Sequence, residues 1–380
     1  MTPEEIELLS ELTIIIPTYN RPLELERAIE YWRDLPVTVH ILDGSEKPWF
    51  PLGVASIVNS ISYHHIAPNV GEKSTDNYAR RLRLSTELAR TKYSALCSDD
   101  DLFTIRGLVN AIQALDSDKA DVVIGKCIQY LLRENFFEWK RINWDWRSDA
   151  LSLSRDIWDH FASNSKGSTY YGIYKTPDWK KIRLSSVECK FSHVGAVENI
   201  SNFLTKRALR VLVIESYLWI TNYPDKKYPN LKVKKVLQKF SIWLNDPLNK
   251  QEVETFLSVL ESGFKKFLPQ DKSHLSRFMA KSFLVDKGVP KRLSFSQRIR
   301  ARLSLVVLSV LSTLPKFIRQ TVFSLLSKKW RKILRTPDFV DSRTPVMDID
   351  GDDPELSEAI RNWERILMMP REELRLRTNI

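Results

Sequence analysis

The feature that most narrows the fold is a series of short, nearly continuous apolar runs separated by stretches of helical spacing. The runs are Leu12-Thr-Ile-Ile-Ile-Pro-Thr18, Val37-Thr-Val-His-Ile-Leu-Asp43, Ile61-Ser-Tyr-His-His-Ile66, Tyr93-Ser-Ala-Leu-Cys97 and Ala120-Asp-Val-Val-Ile-Gly125. They are too short for ordinary helices and several are rich in β-branched residues, so they predict strands. Strands apolar on both faces belong inside a sheet covered by helices on each side. The intervening segments fit that role. Leu23 to Leu35 carries Leu25, Ala28, Ile29 and Trp32 at helical spacing, and Ser74 to Arg90 and the segment from Thr104 to Leu115 also read as helices. The order strand, helix, strand, strand, helix, strand, helix, strand predicts an α/β domain with a mostly parallel sheet.

The run Tyr93 to Cys97 leads, through Ser98, into three consecutive carboxylates, Asp99, Asp100 and Asp101. In open α/β sheets ligands bind beyond the C-terminal ends of the strands. Three adjacent acids repel one another unless something positive neutralises them. A divalent cation suits carboxylate oxygens; a solvated turn with an Asp capping the next helix is the competing reading. Val37 to Asp43 also ends in an acid. Asp43 at a strand tip can accept hydrogen bonds from a base or a ribose hydroxyl, or can serve only as a turn acid ahead of Gly44.

Composition bounds the class. The chain has 380 residues, 43% hydrophobic and 28% charged, which suits one large folded domain with a smaller second unit. Its 11 glycines give no Gly-rich phosphate loop, and Cys97, Cys127 and Cys189 are scattered without CxxC spacing. A reducing compartment without a disulfide framework or zinc site is expected. The acidic N-terminus lacks a signal-peptide pattern. The apolar run Leu303 to Leu314 is too short to span a bilayer.

The net charge of +11 is concentrated: Lys281 to Arg335 holds 14 Lys/Arg against one acid, Asp286, for +13, leaving about −2 elsewhere. Within 296–334, basic clusters alternate with apolar runs. This pattern is expected either to lie on an anionic membrane surface as amphipathic helices or to form a helical bundle with a solvated basic rim. No nucleic-acid motif accompanies the charge, so no nucleic acid partner is expected.

The middle of the chain reads less regularly. Phe136 to Ile142 alternates like a strand and Ser152 to Ser163 has helical spacing. Tyr170 to Tyr174 reads as a strand ending at Pro177, Val194 to Arg207 as a helix carrying Glu198, and Leu209 to Trp219 as a further strand. From Lys232 through Phe267 the pattern is helical. The acidic run Asp338 to Asp353 reads as a solvated linker, since its Gly lies at the wrong place for a calcium loop, and a final helix is expected near Glu355 to Leu367. The expected division is therefore 1–225, a helical basic region 226–335, and 336–380 with the linker and last helix. His64 and His65 are neighbours on a strand and point to opposite faces, and His193 stands alone, so neither is expected to bind metal.

Taken together, Leu12-Thr-Ile-Ile-Ile-Pro-Thr-Tyr-Asn-Arg-Pro22, the Leu42-Asp-Gly-Ser45 turn and Cys97-Ser-Asp-Asp-Asp101 resemble family 2 glycosyltransferases of the GT-A type, within the branch that builds surface polysaccharides. The resemblance covers about residues 12–220. It implies a Rossmann-like mixed sheet with a mainly helical C-terminal extension. It also implies a nucleotide-diphosphate sugar donor, a glycan or lipid-linked acceptor, Mn²⁺ or Mg²⁺ as cofactor, and transfer with inversion. Thr18, Tyr19, Asn20, Arg21 and Asp43 would hold the nucleotide. Asp99 would contact the ribose and share the metal with Asp101, with Asp100 in support. Asn69-Val-Gly-Glu-Lys-Ser74 is similar to the family's loop before the next helix. There Arg80, Arg81 and Arg83 depart from the usual pattern, with Arg83 at the position of its Asn. The acceptor's general base would be Glu198, or else Glu188; neither belongs to the pair of acids usual in the family. A cytoplasmic protein, peripheral on the inner membrane face through its basic segment, is expected. Two other classes fit parts of the pattern: a nucleotidyltransferase, which also pairs carboxylates with Mg²⁺, and a non-catalytic binding protein on a degenerate fold of the same type.

Overall fold

The computed structural model describes residues 1–49, 56–58, 60–132, 137–142, 169–222, 243, 246–261, 340–341 and 354–378. The basic segment 296–334 and the expected helix Ser152 to Ser163 lie outside the described residues, as does the expected acidic linker Asp338 to Asp353 apart from Val340 and Asp341, which form a short strand rather than a solvated stretch. Among the described residues no helix is long and apolar enough to cross a membrane.

The central strands are β1 (Leu12–Thr18), β2 (Thr38–Asp43), β4 (Ile61–His65) and β5 (Tyr93–Leu96). β1 pairs in parallel with β2 and β5, and β2 in parallel with β4. The order β5-β1-β2-β4 is extended at one edge by the antiparallel β3 (Ser56–Val58). The helices α2 (Pro22–Trp32), α3 (Ser74–Leu88) and α4 (Ile105–Asp116) follow β1, β4 and the acid-bearing loop. α1 (Pro3–Ser10) precedes them, opened by a capping box between Thr2 and Glu5.

Beyond β5 the sheet departs from a mostly parallel arrangement. β9 (Ile173–Lys175) inserts antiparallel between β5 and β7 (Val122–Leu132). β8 (Phe137–Ile142) runs antiparallel to β7, with β11 (Val340–Asp341) beside it, while β10 (Val211–Asn222) is parallel to β7. β10 also turns antiparallel to the short β6 (Leu102–Phe103), after register shifts near Tyr217. Among the described residues the result is an 11-stranded mixed sheet, the arrangement expected of the GT-A type of α/β architecture.

Tyr170 to Tyr174, expected as one strand, is a 3-10 turn at Thr169–Tyr171 followed by β9. Pro177 then sits in the first turn of a helix, α5 (Thr176–Glu188), rather than closing a strand. Proline at that place sacrifices a backbone N–H that would be unpaired anyway. α6 (Val194–Ala208) and α7 (Lys250–Glu261) form a helical layer around Phe191, Phe203, Trp243 and Phe256.

The last helices, α8 (Pro354–Met368) and α9 (Arg371–Thr378), pack on α2. Ile360, Trp363, Ile366 and Leu374 share one core with Ile14, Leu25 and Trp32. Glu26 of α2 is fully buried and receives Nε of Arg371 at 3.0 Å and Nε of Arg375 at 2.9 Å.

Candidate active site

Because β5, β1 and β2 are adjacent and parallel, their C-terminal ends lie side by side. Thr18 is in register with Asp43, and Asp99 lies just past the end of β5. The Thr18 hydroxyl donates to Asp99 Oδ2 at 2.6 Å. The chain then turns through Asn20, which adopts φ 53°, a left-handed value that Asn tolerates. Its N–H donates to Ser45 Oγ at 2.8 Å. Arg21 is the N-cap residue of α2 and Pro22 opens the helix. From there the Arg21 guanidinium forks between two carboxylates, donating from Nη1 to Asp99 Oδ1 at 2.6 Å and from Nη2 to Asp100 Oδ2 at 2.5 Å. Asp99 and Asp100 outweigh the effect of burial and hold the guanidinium above its usual pKa.

The acid loop is held by its surroundings. The Tyr31 hydroxyl donates to the Phe103 carbonyl at 2.6 Å, and the Tyr130 hydroxyl to the Asp100 carbonyl at 2.7 Å. Trp363 of α8 lies against both rings, with centroids 5.8 Å from Tyr31 and 6.2 Å from Tyr130. Asp99 and Asp101 are both buried. Burial pushes the Asp99 carboxyl up to about 7; Arg21 opposes the rise and Asp100 adds to it. Burial, then Asp100, holds Asp101 well above the carboxylate range. Asp101 Oδ1 accepts from the Asn222 N–H at 3.0 Å, and the Thr221 side chain bonds to the same carboxylate.

Among the described residues no cation pairs with Asp101, and no group of three or more His, Cys, Asp or Glu forms a preformed metal site. The residues present nevertheless fit a hard divalent ion of the Mg²⁺ kind. Such ions are commonly held by one or two carboxylates completed by substrate phosphates rather than by an all-protein cage. A buried, uncompensated Asp101 beside the half-buried Asp100 supplies that donor set.

Asp43 is buried at the neighbouring strand tip. Oδ1 accepts from the Ser45 N–H at 2.8 Å and from the Ser45 hydroxyl; Oδ2 accepts from the Tyr63 hydroxyl at 2.6 Å. The carboxylate is thus fixed in orientation. Tyr19 is exposed at the mouth.

The arginines of α3 are sorted by helix geometry. Arg83 is exposed. Arg81 is buried and donates to the Thr18 carbonyl at 2.9 Å and the Leu42 carbonyl at 3.2 Å, with Nε on Asn77 Oδ1 at 2.9 Å. Burial lowers its pKa, partly opposed by Tyr78, Asp43 and Asp99. It ties the ends of β1 and β2 together. A Cβ on Gly44 would stand 2.3 Å from Asn77 Oδ1 and 2.6 Å from Arg81 Nε, so the glycine makes room for this strut. The signal for Arg81 was present in the sequence: with Asn77 and Ser85 it shares the face that carries Leu82 inward at i, i+4 spacing.

Glu198 lies half-buried in the first turns of α6. Its charge, together with that of Asp101, acts on Tyr171, whose hydroxyl is raised first by burial. Tyr171 stacks on Trp219, with centroids 4.5 Å apart and planes 19° from parallel. Tyr171 therefore lies within electrostatic reach of both Glu198 and the acid loop. Glu188 is exposed at the end of α5. Tyr171, Thr221 and Asn222 are site residues that sequence reasoning did not single out. Only the fold brings them to Asp101. His64 faces His40 rather than His65, Nε2 to Nδ1 at 3.2 Å, while His65 contacts the Ser45 carbonyl at 2.8 Å. Burial, then His64, pushes His40 down to about 4.

The sheet order thus brings Thr18, Asp43 and the three acids together at one edge of the sheet. Residues 13–173 match the family described as Glycosyl transferase family 2. That region contains Thr18, Arg21, Asp43 and Asp99 to Asp101. Among solved structures, the chain is similar to S. aureus TarS 1–349 in complex with UDP-GlcNAc, at TM-score 0.45 and 13% identity over 93% of this chain and 90% of that chain. It is similar to the same protein in complex with UDP at TM-score 0.43 and 14% identity over 85% of each chain. With S. aureus TarS itself the TM-score is 0.37 at 14% identity, over 93% of this chain and 54% of that chain. No curated protein matches the chain.

Proposed function

We propose that this glycosyltransferase moves a sugar from a nucleoside-diphosphate donor to a glycan or lipid-linked acceptor, in a divalent-metal-dependent reaction with inversion. The observation that carries the reading is the convergence of Thr18, Asp43 and Asp99 to Asp101 at the adjacent ends of β1, β2 and β5, with Arg21 between them.

Each residue has a task set by its chemistry. Asp43, fixed by Ser45 and Tyr63, accepts hydrogen bonds from the base or ribose. Thr18, Tyr19 and Asn20 line the nucleotide, and Asp99 faces the ribose. Arg21 offers a planar fork to phosphate oxygens. A divalent ion, Mn²⁺ or Mg²⁺, would be held by Asp101 with Asp99 and Asp100 beside it, and supplies a Lewis acid for the departing diphosphate. Glu198 takes the proton from the acceptor hydroxyl as its oxygen attacks the anomeric carbon. The new C–O bond forms as the bond from that carbon to the diphosphate breaks, and the electron pair leaves with the nucleoside diphosphate. Arg83, exposed on α3, is left as a further contact to the nucleotide or a phosphate. Contact of residues 296–334 with an anionic membrane belongs to the same proposal and rests on charge alone.

The test is release of nucleoside diphosphate from a panel of sugar nucleotides by the purified protein with Mn²⁺. Asp101→Ala is expected to lower turnover by at least about a hundredfold, as loss of a main transition-state electrostatic group does. Full turnover by Asp101→Ala sinks the mechanism. Release of pyrophosphate would instead identify a nucleotidyltransferase, and failure to bind any nucleoside diphosphate with metal would identify a non-catalytic protein.

A further inference from the structure

Arg21 does more in this arrangement than wait for phosphate. Its two N–H groups join two different carboxylates of the acid loop, at 2.6 and 2.5 Å. One guanidinium thus neutralises part of a cluster of three acids. The side chain is 36% exposed whereas Asp99 is 2% exposed, so the cation sits at the mouth and the anion behind it. Its backbone is constrained on both sides, by the left-handed Asn20 and by Pro22 in the first turn of α2. Any movement of the cation is therefore a movement of the side chain. Its two acceptors keep other partners when it leaves: Asp99 retains the Thr18 hydroxyl, and Asp100 the Asn222 amide at 3.4 Å.

A guanidinium wedged between Asp99 and Asp100 and a dication drawn to Asp100 and Asp101 repel each other at such short range. Both cannot sit on the cluster at full strength. A diphosphate offers the guanidinium an alternative of the geometry it prefers, two oxygens in a plane.

We propose that Arg21 is a donor-responsive gate on the acid cluster. It stands between Asp99 and Asp100 as an internal cation until a donor diphosphate draws it away, so that metal and nucleotide bind as a pair. The inference rests on the metal-dependent nucleotide-sugar reading given above and adds an order to it: metal alone is held weakly because a protein cation already occupies part of the cluster. By linkage, the factor by which nucleotide tightens metal equals the factor by which metal tightens nucleotide.

The experiment is Mn²⁺ binding to the full chain, followed by electron paramagnetic resonance of free Mn²⁺ and by calorimetry, with and without UDP or GDP. In the wild type, nucleotide should tighten Mn²⁺ strongly. Arg21→Gln should bind Mn²⁺ alone about tenfold more tightly than the wild type, and the coupling to nucleotide should fall by a similar factor. An Arg21→Gln protein with wild-type Mn²⁺ affinity and coupling overturns the gate, while nucleotide-dependent Mn²⁺ binding by the wild type leaves the functional reading standing. Wild-type protein that binds no Mn²⁺ with any nucleotide overturns both. Should Arg21→Gln fail to fold, Arg21→Lys carries the test. It keeps the charge but not the two-carboxylate fork, so Mn²⁺ alone should again bind more tightly, and an unchanged affinity overturns the proposal.

Discussion

A carboxylate buried beside two others is costly, and little in the protein offsets that cost at Asp101. Arg21 serves Asp99 and Asp100, whereas Asp101 has a backbone N–H from Asn222 and the Thr221 side chain. A carboxyl whose pKa is raised in the fold keeps its proton longer there than in the unfolded chain. Its contribution to stability is complete below the unfolded value and is lost as pH rises through the folded one. At neutral pH and without metal, Asp101 therefore destabilises the fold. Asp101→Asn keeps a carbonyl oxygen for the Asn222 N–H and removes the charge. It is expected to raise the melting temperature of the metal-free protein at pH 8 by about 2–4 °C, with the gain shrinking as pH is lowered and Asp101 itself becomes protonated. Thermal melts of both proteins across pH, in chelator, check this; no gain at pH 8 would mean the carboxylate is compensated. The three acids were legible in the sequence because they are contiguous. Arg21 could be named for the nucleotide loop, but not as the counter-ion of acids 78 and 79 positions away.

At the scale of elements, the acid loop leads through the short β6 into α4, and the way α4 docks helps to fix where the loop ends. Thr104 caps the helix, its hydroxyl oxygen accepting from the Gly107 N–H at 3.1 Å, and its own N–H donates to the Leu218 carbonyl at 3.0 Å. Gly107 lets α4 lie against β10. A Cβ there would stand 2.4 Å from the Tyr217 carbonyl oxygen and 2.7 Å from Leu218 Cα. Both are backbone atoms, so they cannot swing aside. Gly107→Ala is expected to destabilise by about 1–3 kcal/mol through overpacking, read from chemical denaturation, despite the better helix propensity of alanine. A stabilised variant would show that the helix can shift freely. α2, α3 and α4 were predictable because each carries a one-sided apolar stripe. α5 was not, since Pro177 reads equally as a strand terminator and as the first turn of a helix. β9 was legible as an apolar stretch but not as an antiparallel insertion between β5 and β7, because periodicity carries no information about strand direction.

Across the whole molecule, the C-terminal helices complete the core that supports the site. Arg27 reaches the Leu367 carbonyl at 2.7 Å, Glu26 is enclosed by Arg371 and Arg375, and both of these arginines lie over the Trp49 ring, at 5.1 and 5.4 Å. Trp363 touches the two tyrosines whose hydroxyls hold the acid loop. Trp363→Ala is expected to cost about 3–5 kcal/mol, the price of a large cavity, and to weaken UDP binding with Mn²⁺ because Tyr31 and Tyr130 lose their support. Denaturant unfolding with parallel calorimetry tests both effects; an unchanged midpoint would show that α8 is dispensable to the core. The amphipathic pattern near Glu355 to Leu367 revealed a helix, but not the surface that would cover it. The sequence by itself determined the alternation of strands and helices, and the placing of Thr18, Asp43 and Asp99 to Asp101 at strand ends, because these follow from local spacing and short-range sterics. Tertiary structure alone decided that β5, β1 and β2 are neighbours, that Arg81 rather than Arg83 turns inward, that Arg21 pairs with the acid loop and that Trp363 lies beneath it. Each of these depends on contacts between residues remote in the chain, and those are set by how the packed faces fit together rather than by any one segment.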